Sequence, residues 1–178
     1  MRGIEQIPWL YDAMMGLAPG IVRWRGQLAA GARGRVLEVG CGTGRGLPDY
    51  SEDVELFALD LNFDSLYRAH RSRADTRLVC ASAEAIPFAD DSFDCVVSSL
   101  VFCSVPDAER GLSELKRVLK PEAQLPMLEH VQARSPFWAR VLNGIQPAWT
   151  TLSGGPPFRS GTQSMLITDE QLTFFASD

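Results

Sequence analysis

Short apolar runs recur along this chain and are separated by more polar segments. Five of these runs are rich in β-branched and aliphatic residues: Val36–Val39, Val54–Asp60, Arg77–Ala81, Phe93–Leu100 and Gln124–His130. Such runs predict buried β-strands. Between Asp107 and Pro121, apolar residues instead recur every three or four positions, which predicts an amphipathic helix. Asp107 can cap the start of this helix, and Pro121 marks its end.

Strands that are apolar throughout, alternating with amphipathic helices, predict a parallel sheet that is covered on both faces. We therefore expect an α/β fold with a Rossmann-like, doubly wound parallel sheet. Ligands bind such sheets beyond the carboxyl ends of the strands. The residues at the ends of the five runs are accordingly the candidate site residues: Gly40, Cys41, Gly42, Gly44, Asp60, Leu61, Ser82, Ala83, Glu84, Ser98, Glu129 and His130.

A cluster of glycines directly follows the first run: Gly40, Gly42, Gly44 and Gly46. Such a loop lets a ligand approach the backbone closely, because no Cβ atoms intervene and φ is free to be positive. The dinucleotide fingerprint G-x-G-x-x-G would need its third glycine where Arg45 stands, which argues against a nicotinamide dehydrogenase. The pattern E-x-G-x-G-x-G, in contrast, is matched in full from Glu38 onward.

This pattern resembles the signature of class I S-adenosylmethionine-dependent methyltransferases, and the resemblance extends from about Val36 to His130. It implies S-adenosylmethionine as cofactor and S-adenosylhomocysteine as product. In the family, the acidic residue of the glycine motif helps to position the methionine amino group, and Glu38 matches it. The acidic residue that ends the second strand clasps the two ribose hydroxyls, and Asp60 matches it. A carboxylate suits two adjacent hydroxyl donors because it only accepts hydrogen bonds.

The segment Ala81–Val97 resembles the small-molecule methyltransferases, a group that includes enzymes of quinone biosynthesis. In many members an aspartate after the third strand contacts the adenine amino group. Here that position is Ser82, and Ala83 would lie against the adenine ring. The later segments look most like the alkyl thiol methyltransferases and related quinone and phospholipid methyltransferases. The resemblance implies methyl transfer to a small, apolar acceptor: a thiol, a quinol or a lipid head group.

The chain has two histidines that are candidates for a general base. His70 lies in an arginine-rich segment and is expected to be solvated. His130 follows the fifth run beside Glu129, at the ligand-facing end of the sheet. Either His130 removes the proton of the acceptor, or it bonds to the backbone at a strand–loop junction. Glu129 either orients His130 or caps the next helix.

Two departures from the family pattern concern the end of the sheet. The turn into the fifth strand, usually glycine-rich, is Pro121-Glu122-Ala123, and Pro126 lies within the predicted strand, where proline is tolerated mainly at an edge. The segment from Thr168 to the end has the pattern of a capped helix start. We therefore predict that the C-terminal antiparallel hairpin is missing or rebuilt. The fifth strand would then lie at an exposed sheet edge, through which two copies could form a homodimer.

These departures, together with Ser82, favour a second hypothesis: a module that binds the cofactor but is catalytically weak or inactive. The 178 residues are about the size of one domain. We expect a helical cap over 1–30, a cofactor-binding core over 34–130, and a substrate-side insert with a shortened C-terminus over 131–178.

Charge and cysteine content narrow the possible partners. The net charge of −5 argues against a nucleic-acid partner, and the four cysteines lack the spacing of a zinc site, so no metal is expected. No segment has the layout of a signal peptide or a membrane span, so we expect a cytoplasmic protein with a small-molecule substrate. The apolar stripes at Ile7–Leu17 and around Trp138 and Trp149 belong either to the core or to an acceptor pocket. An exposed stripe of this kind could also rest on a membrane surface.

Overall fold

The computed structural model of the protein describes residues 19–102, 104–132 and 162–167, with side chains described within 22–102 and 104–129. The strands are β1 (Arg35–Val39), β2 (Glu55–Asp60), β3 (Arg77–Cys80), β4 (Phe93–Ser99), β5 (Leu119–Gln124), β6 (Met127–Gln132) and β7 (Thr162–Ile167). The helices are α1 (Pro19–Gly31), α2 (Phe63–Ala69) and α3 (Ala108–Val118), and Leu47–Asp49 forms a short 3-10 helix. No helix in these described ranges is long and apolar enough to cross a membrane.

All of these strands belong to one sheet in the order β3-β2-β1-β4-β6-β7, with β5 also paired to β4. β1 is parallel to both of its neighbours, β2 and β4, and β3 is parallel to β2. The chain moves outward from β1 to β3 and then returns to β4 on the other side of β1. This reversal confirms the predicted doubly wound fold and places the ligand crevice at the carboxyl ends of β1 and β4.

Two hydrophobic cores lie on opposite faces of the sheet, because successive strand residues point in opposite directions. On one face, Val36 of β1 packs in a cluster with Leu28 of α1 and Leu66 of α2. On the other face, Leu37 packs in a cluster with Leu115 of α3. Both β1 residues are fully buried, which explains why the strand is apolar throughout.

The two later helices begin at capped residues. The Asn62 side chain accepts hydrogen bonds from the backbone N–H groups of Asp64 and Ser65, and so starts α2. The Asp107 side chain accepts from the N–H of Arg110 and starts α3, as the sequence predicts. Each cap satisfies donors that the first helical turn leaves unpaired.

The predicted fifth strand, Gln124–His130, corresponds to β6. It is preceded by an additional strand, β5, which occupies the segment where the end of the helix and the turn at Pro121 were expected, and Leu125-Pro126 separates the two strands. β5 pairs with the amino-terminal part of β4 and β6 with its carboxyl end, so the two lie in succession along one edge of β4. Between them, the Pro126 carbonyl accepts a hydrogen bond from the N–H of Ser98 at 3.3 Å. Proline has no N–H to donate, which explains why strand pairing is interrupted at this residue.

The expectation that this strand lies at an exposed edge is wrong. β7 pairs antiparallel with β6 over six residues, from Met127 beside Ile167 to Gln132 beside Thr162. β6 therefore has β4 on one side and β7 on the other. The edge through which a homodimer was expected to form is occupied by β7. The predicted helix start at Thr168 lies outside the described residues.

Glu122, in the turn that lacks the usual glycines, has the left-handed backbone angle φ of 60°. β4 and β5 are in register at Phe93 beside Leu119 and at Cys95 beside Gln124, so the chain bulges between these pairs. Glu122 lies within this bulge and is exposed. The left-handed conformation costs a residue with a Cβ about 1–2 kcal/mol.

Glu122→Gly should therefore stabilise the protein by about 0.5–1 kcal/mol, since glycine adopts this conformation without strain. Thermal unfolding should show a rise in Tm of roughly 1–4 °C. Glu109→Gly is the matched control, because exposed Glu109 lies in α3, where glycine lowers stability. Equal changes in Tm for the two variants would contradict this explanation.

Candidate cofactor-binding site

A cavity of about 430 Å³ opens at the carboxyl ends of β1, β2 and β4, a volume typical of small-molecule sites. Nine of the eleven predicted cofactor-binding residues line this cavity: Glu38, Gly40, Cys41, Gly42, Asp60, Leu61, Ser82, Ala83 and Glu84. Gly44 and Ser98 are not among the lining residues. The residues predicted from the ends of the strands therefore form one continuous site, because the carboxyl ends of parallel strands meet at one edge of the sheet.

The glycines of the loop serve different purposes. Gly40 has a φ of 70°, and a Cβ at this position would overlap the side chain of Val101. Gly42 has a φ of 55° and lines the cavity, yet no atom lies within 4 Å of the position of an added Cβ. Gly40 is thus required by protein packing, whereas Gly42 exposes bare backbone to the space that a ligand would fill.

Gly44 and Ser98 do not line the cavity but contact neighbouring parts of the protein. A Cβ on Gly44 would come within 2.8 Å of the Cα atom of Ala69, so glycine here lets the loop pack against the end of α2. Ser98 is fully buried, and its hydroxyl donates a hydrogen bond to Glu129 at 3.2 Å. Its neighbour Ser99 lines the cavity instead, because adjacent strand residues point to opposite faces.

Asp60, at the end of β2, holds the glycine loop in place. One carboxylate oxygen accepts the N–H of Gly42 at 2.8 Å, and the other accepts the N–H of Asn62 at 2.8 Å. A carboxylate has about four lone-pair sites, so each oxygen can still accept a further hydrogen bond. Because Asp60 lines the cavity, it can hold the glycine loop and at the same time accept hydrogen bonds from a ligand with two adjacent hydroxyls.

Glu38 is a buried carboxylate at the opposite side of the glycine loop. It is 8% exposed, and one of its oxygens has no hydrogen-bond partner within the described part of the chain. Burial raises the pKa of Glu38 to about 7, while the hydrogen bond from Tyr50 and the charge of Arg25 counteract this increase, and nearby Asp49 and Asp60 add to it. An unpartnered acceptor in a cavity wall is suited to a ligand that carries a cationic donor.

Arg25 of α1 is a site residue that sequence reasoning missed. It lines the cavity, and its Nε donates a hydrogen bond to the hydroxyl of Ser99 at 2.9 Å, which orients the guanidinium group. Its charge also acts on Glu38. The cavity therefore has a carboxylate and a guanidinium near the same end. Arg25 belongs to the predicted helical cap, and no motif marks it as facing the glycine loop.

The residues after β3 form the other end of the cavity. The hydroxyl of Ser82 hydrogen-bonds to Glu84 at 3.2 Å and accepts the N–H of the same residue at 3.1 Å. The second carboxylate oxygen of Glu84 accepts the N–H of Asp107, which begins α3. Ala83 lies beside them and is 7% exposed. These contacts fix a part of the cavity wall that carries a hydroxyl, a methyl group and a carboxylate.

Glu129 binds the chain that follows β4, a contact that neither sequence hypothesis included, and the hypothesis that it orients His130 stays a prediction because the His130 side chain lies outside the described part. Its carboxylate points to the chain that follows β4, where one oxygen accepts hydrogen bonds from the N–H groups of Val101 and Phe102 and from the hydroxyl of Ser98. Burial raises the pKa of Glu129, and these hydrogen bonds counteract the increase. Glu129 is 6% exposed and caps no helix in the described ranges.

His130, the candidate general base, lies within β6, where its backbone is in register with Ser164 of β7. Its side chain lies outside the described part, as do the stripe at Ile7–Leu17 and the residues Trp138 and Trp149. The proposal that His130 is a base remains a prediction.

The cavity residues fit the cofactor that the sequence resemblance implies. Within the described residues, Glu38 offers an acceptor without a hydrogen-bond partner that suits an ammonium group, and Asp60 offers acceptors for two hydroxyls. Gly42 leaves open the space that its Cβ would otherwise enter. No residue of the loop offers the arrangement of a pyrophosphate site, because Arg45 replaces the third glycine of the dinucleotide pattern.

Two curated proteins are similar to this chain. The human thiol S-methyltransferase TMT1A is 37% identical over 139 residues, which are 71% of this chain and 56% of that protein. The demethylmenaquinone methyltransferase of Renibacterium salmoninarum is 36% identical over 113 residues, which are 60% of this chain and 47% of that protein. The chain thus spans about half the length of these relatives.

The fold is shared with solved structures. The crystal structure of a SAM-dependent methyltransferase from Thermotoga maritima, described as a possible histamine N-methyltransferase, has a TM-score of 0.65 at 21% identity and covers 96% of this chain and 76% of that one. Residues 37–141, more than half of the chain, match the family model described as a methyltransferase domain. This chain is a member of the methyltransferase domain family, whose cofactor is S-adenosylmethionine.

Proposed function

We propose that this protein binds S-adenosylmethionine and transfers the methyl group to a small, apolar acceptor, a thiol, a quinol or a lipid head group. A thiol is the acceptor to test first, because the human relative is a thiol S-methyltransferase. The observation that carries the proposal is the buried, unpartnered oxygen of Glu38 in the wall of a cavity that a glycine loop leaves open.

Three parts of the cavity would hold the cofactor. Glu38 would accept the ammonium group of the methionine part, and Arg25 beside it would bind the carboxylate. Asp60 would accept the two ribose hydroxyls while it continues to hold the loop. Adenine would lie against Ala83 with Ser82 at its edge.

Bound S-adenosylmethionine supplies a methyl group that is already activated on a sulfonium centre. The task of the protein is therefore to align the acceptor behind this methyl group and to exclude water. Cavity residues Val101 and Val105 provide an apolar wall for this purpose. We assign the removal of the acceptor proton to His130, because its place in β6 lies beyond the carboxyl end of β4.

We further propose a cytoplasmic location and a small-molecule substrate. Cys41 and Cys80 form no disulfide within the described residues, and thiols of this kind are typical of a reducing compartment. Residues 131–178 would form the acceptor side of a single domain whose core is 34–130 and whose helical cap is 1–30. An apolar acceptor is compatible with peripheral contact with a membrane, from which such a substrate would be taken.

The proposal is tested by binding and then by transfer. S-adenosylhomocysteine should raise the Tm of the purified protein in a concentration-dependent manner, whereas NAD⁺ should not. Radiolabelled methyl transfer is then measured to an alkyl thiol, a quinol and phosphatidylethanolamine vesicles. Transfer to at least one acceptor supports an enzyme. Binding of S-adenosylhomocysteine without transfer to any of the three would support the catalytically weak module, and no binding would refute the proposal altogether.

A further inference from the structure

The chain that follows β4 forms a wall of the cavity and begins with an unfavourable backbone conformation. We call residues 100–102 and 104–106 the β4 loop; its members Leu100, Val101, Ser104, Val105 and Pro106 line the cavity. Leu100 has a φ of 59°, in the left-handed region that a branched side chain rarely adopts. Such a conformation persists only where the surroundings hold it in place.

Two sets of hydrogen bonds from β6 hold the start of this loop. The N–H of Leu100 donates to the carbonyl of Leu128 at 2.7 Å. The buried carboxylate of Glu129 accepts the N–H of Val101 at 3.0 Å and that of Phe102 at 3.3 Å. Both residues after the left-handed turn are thus bound by a single side chain.

The two residues that Glu129 holds pack against the same hydrophobic cluster but contact different glycines. The side chain of Val101 fills the space above Gly40, where a Cβ would overlap it. The ring of Phe102 packs against α3, since a Cβ on Gly111 would come within 2.8 Å of it. The position of the β4 loop therefore determines how the glycine loop is covered at Gly40.

We propose that Glu129 is a positioning residue for the cofactor site: it holds Val101 against Gly40 and so shapes the cavity wall beside the start of the glycine loop. This proposal rests on the proposed function in one respect, namely that the ligand of the cavity is S-adenosylmethionine or its product. Glu129 does not contact the cavity itself, because it is absent from the lining residues.

Two substitutions separate this role from a contribution to overall stability. Glu129→Met keeps a side chain of similar length but removes the acceptor, and Glu129→Gln keeps one oxygen that can accept both N–H groups. Asp94→Ala is the matched control. Asp94 also accepts a backbone N–H, that of Arg35 at 2.8 Å, and binds Lys120, but it lies at the amino end of β4.

Isothermal titration with S-adenosylhomocysteine should show affinity about tenfold or more lower in Glu129→Met and within about threefold of wild type in Glu129→Gln. Asp94→Ala should lower Tm without changing affinity. Hydrogen exchange should show lost protection of the Val101 and Phe102 amides in Glu129→Met alone. A Glu129→Met protein that binds like wild type, with these amides still protected, would overturn the proposal.

The exchange measurement keeps this test distinct from that of the proposed function. If the wild-type protein failed to bind S-adenosylhomocysteine, the proposed cofactor would be refuted, whereas the protection of the Val101 and Phe102 amides would still report whether Glu129 holds the β4 loop. If Glu129→Met did not fold, the test would use Glu129→Gln, with hydrogen exchange of the Val101 and Phe102 amides measured beside the affinity. Retained protection together with retained affinity would support the positioning role. Retained protection with lost affinity would contradict it.

Discussion

Replacing Asp60 with alanine should weaken the binding of S-adenosylhomocysteine about a hundredfold, measured by isothermal titration. Two effects contribute to this loss. The ribose hydroxyls lose a charged acceptor, and hydrogen bonds to charged groups contribute about 1.5–3 kcal/mol each. The N–H of Gly42 also loses its acceptor, so the loop on which the ligand lies is released.

The same substitution should lower Tm by roughly 4–8 °C, since it leaves the N–H groups of Gly42 and Asn62 without their carboxylate and costs about 2 kcal/mol. Asp64→Ala is the control. Asp64 is exposed in the first turn of α2 and carries the same charge close to the site, so its removal should leave affinity within about twofold. An Asp60→Ala protein with wild-type affinity would contradict the assignment of the ribose site.

Replacing Glu38 with glutamine should have opposite effects on stability and on binding. Burial raises the pKa of Glu38 to about 7, so the folded state holds this proton more tightly than the unfolded chain does. The contribution of Glu38 to the free energy of unfolding should therefore fall as pH rises from about 4.5 to about 7, and above that range ionised Glu38 destabilises the ligand-free protein. Glu38→Gln removes this cost, which is roughly 2–3 kcal/mol at pH 8.

Affinity should change in the other direction. Ionised Glu38 pairs with the ammonium group of the ligand, so wild-type affinity for S-adenosylhomocysteine should rise as pH increases through about 7. The affinity of Glu38→Gln should be at least tenfold lower at pH 8 and should lack this rise. Glu52→Gln, at an exposed position, is the control for both readouts. Denaturation and titration at pH 6 and pH 8 measure the effect, and equal pH dependence in Glu38→Gln and wild type would contradict it.

Local patterns in the sequence were sufficient to predict most of the sheet. β1, β2 and β4 are continuous apolar runs because they are largely buried on both faces, whereas β3 lies at the sheet edge and is only partly buried. The ends of these four strands converge on one site. β7 could not be recognised in the same way. Its segment Thr162–Ile167 is polar at several positions, and its strand conformation is defined by pairing with β6. The prediction from Pro126 was also wrong. A proline within a predicted strand indicates a sheet edge, whereas Pro126 lies between the end of β5 and the start of β6. A proline is equally compatible with the gap between two strands.

In the candidate site, too, some residues could be predicted from local sequence motifs and others could not. Glu38 and Asp60 belong to motifs in which identity and spacing indicate the ligand. The contacts of Arg25 and Glu129 join residues that are distant in sequence: Arg25, which lines the cavity, bonds to Ser99, 74 positions away, and Glu129, which does not line it, bonds to the cavity residue Val101, 28 positions away. Such contacts follow from how the helices and strands pack, which no short motif records.

We propose that a nucleoside with an amino-acid tail lies across the open backbone at Gly42. A crystal structure of the protein with S-adenosylhomocysteine is the decisive experiment. We expect the ribose hydroxyls within about 3 Å of the Asp60 carboxylate and the amino group within about 3 Å of Glu38, with adenine against Ala83. A ligand bound elsewhere, or one whose ribose is far from Asp60, would contradict it.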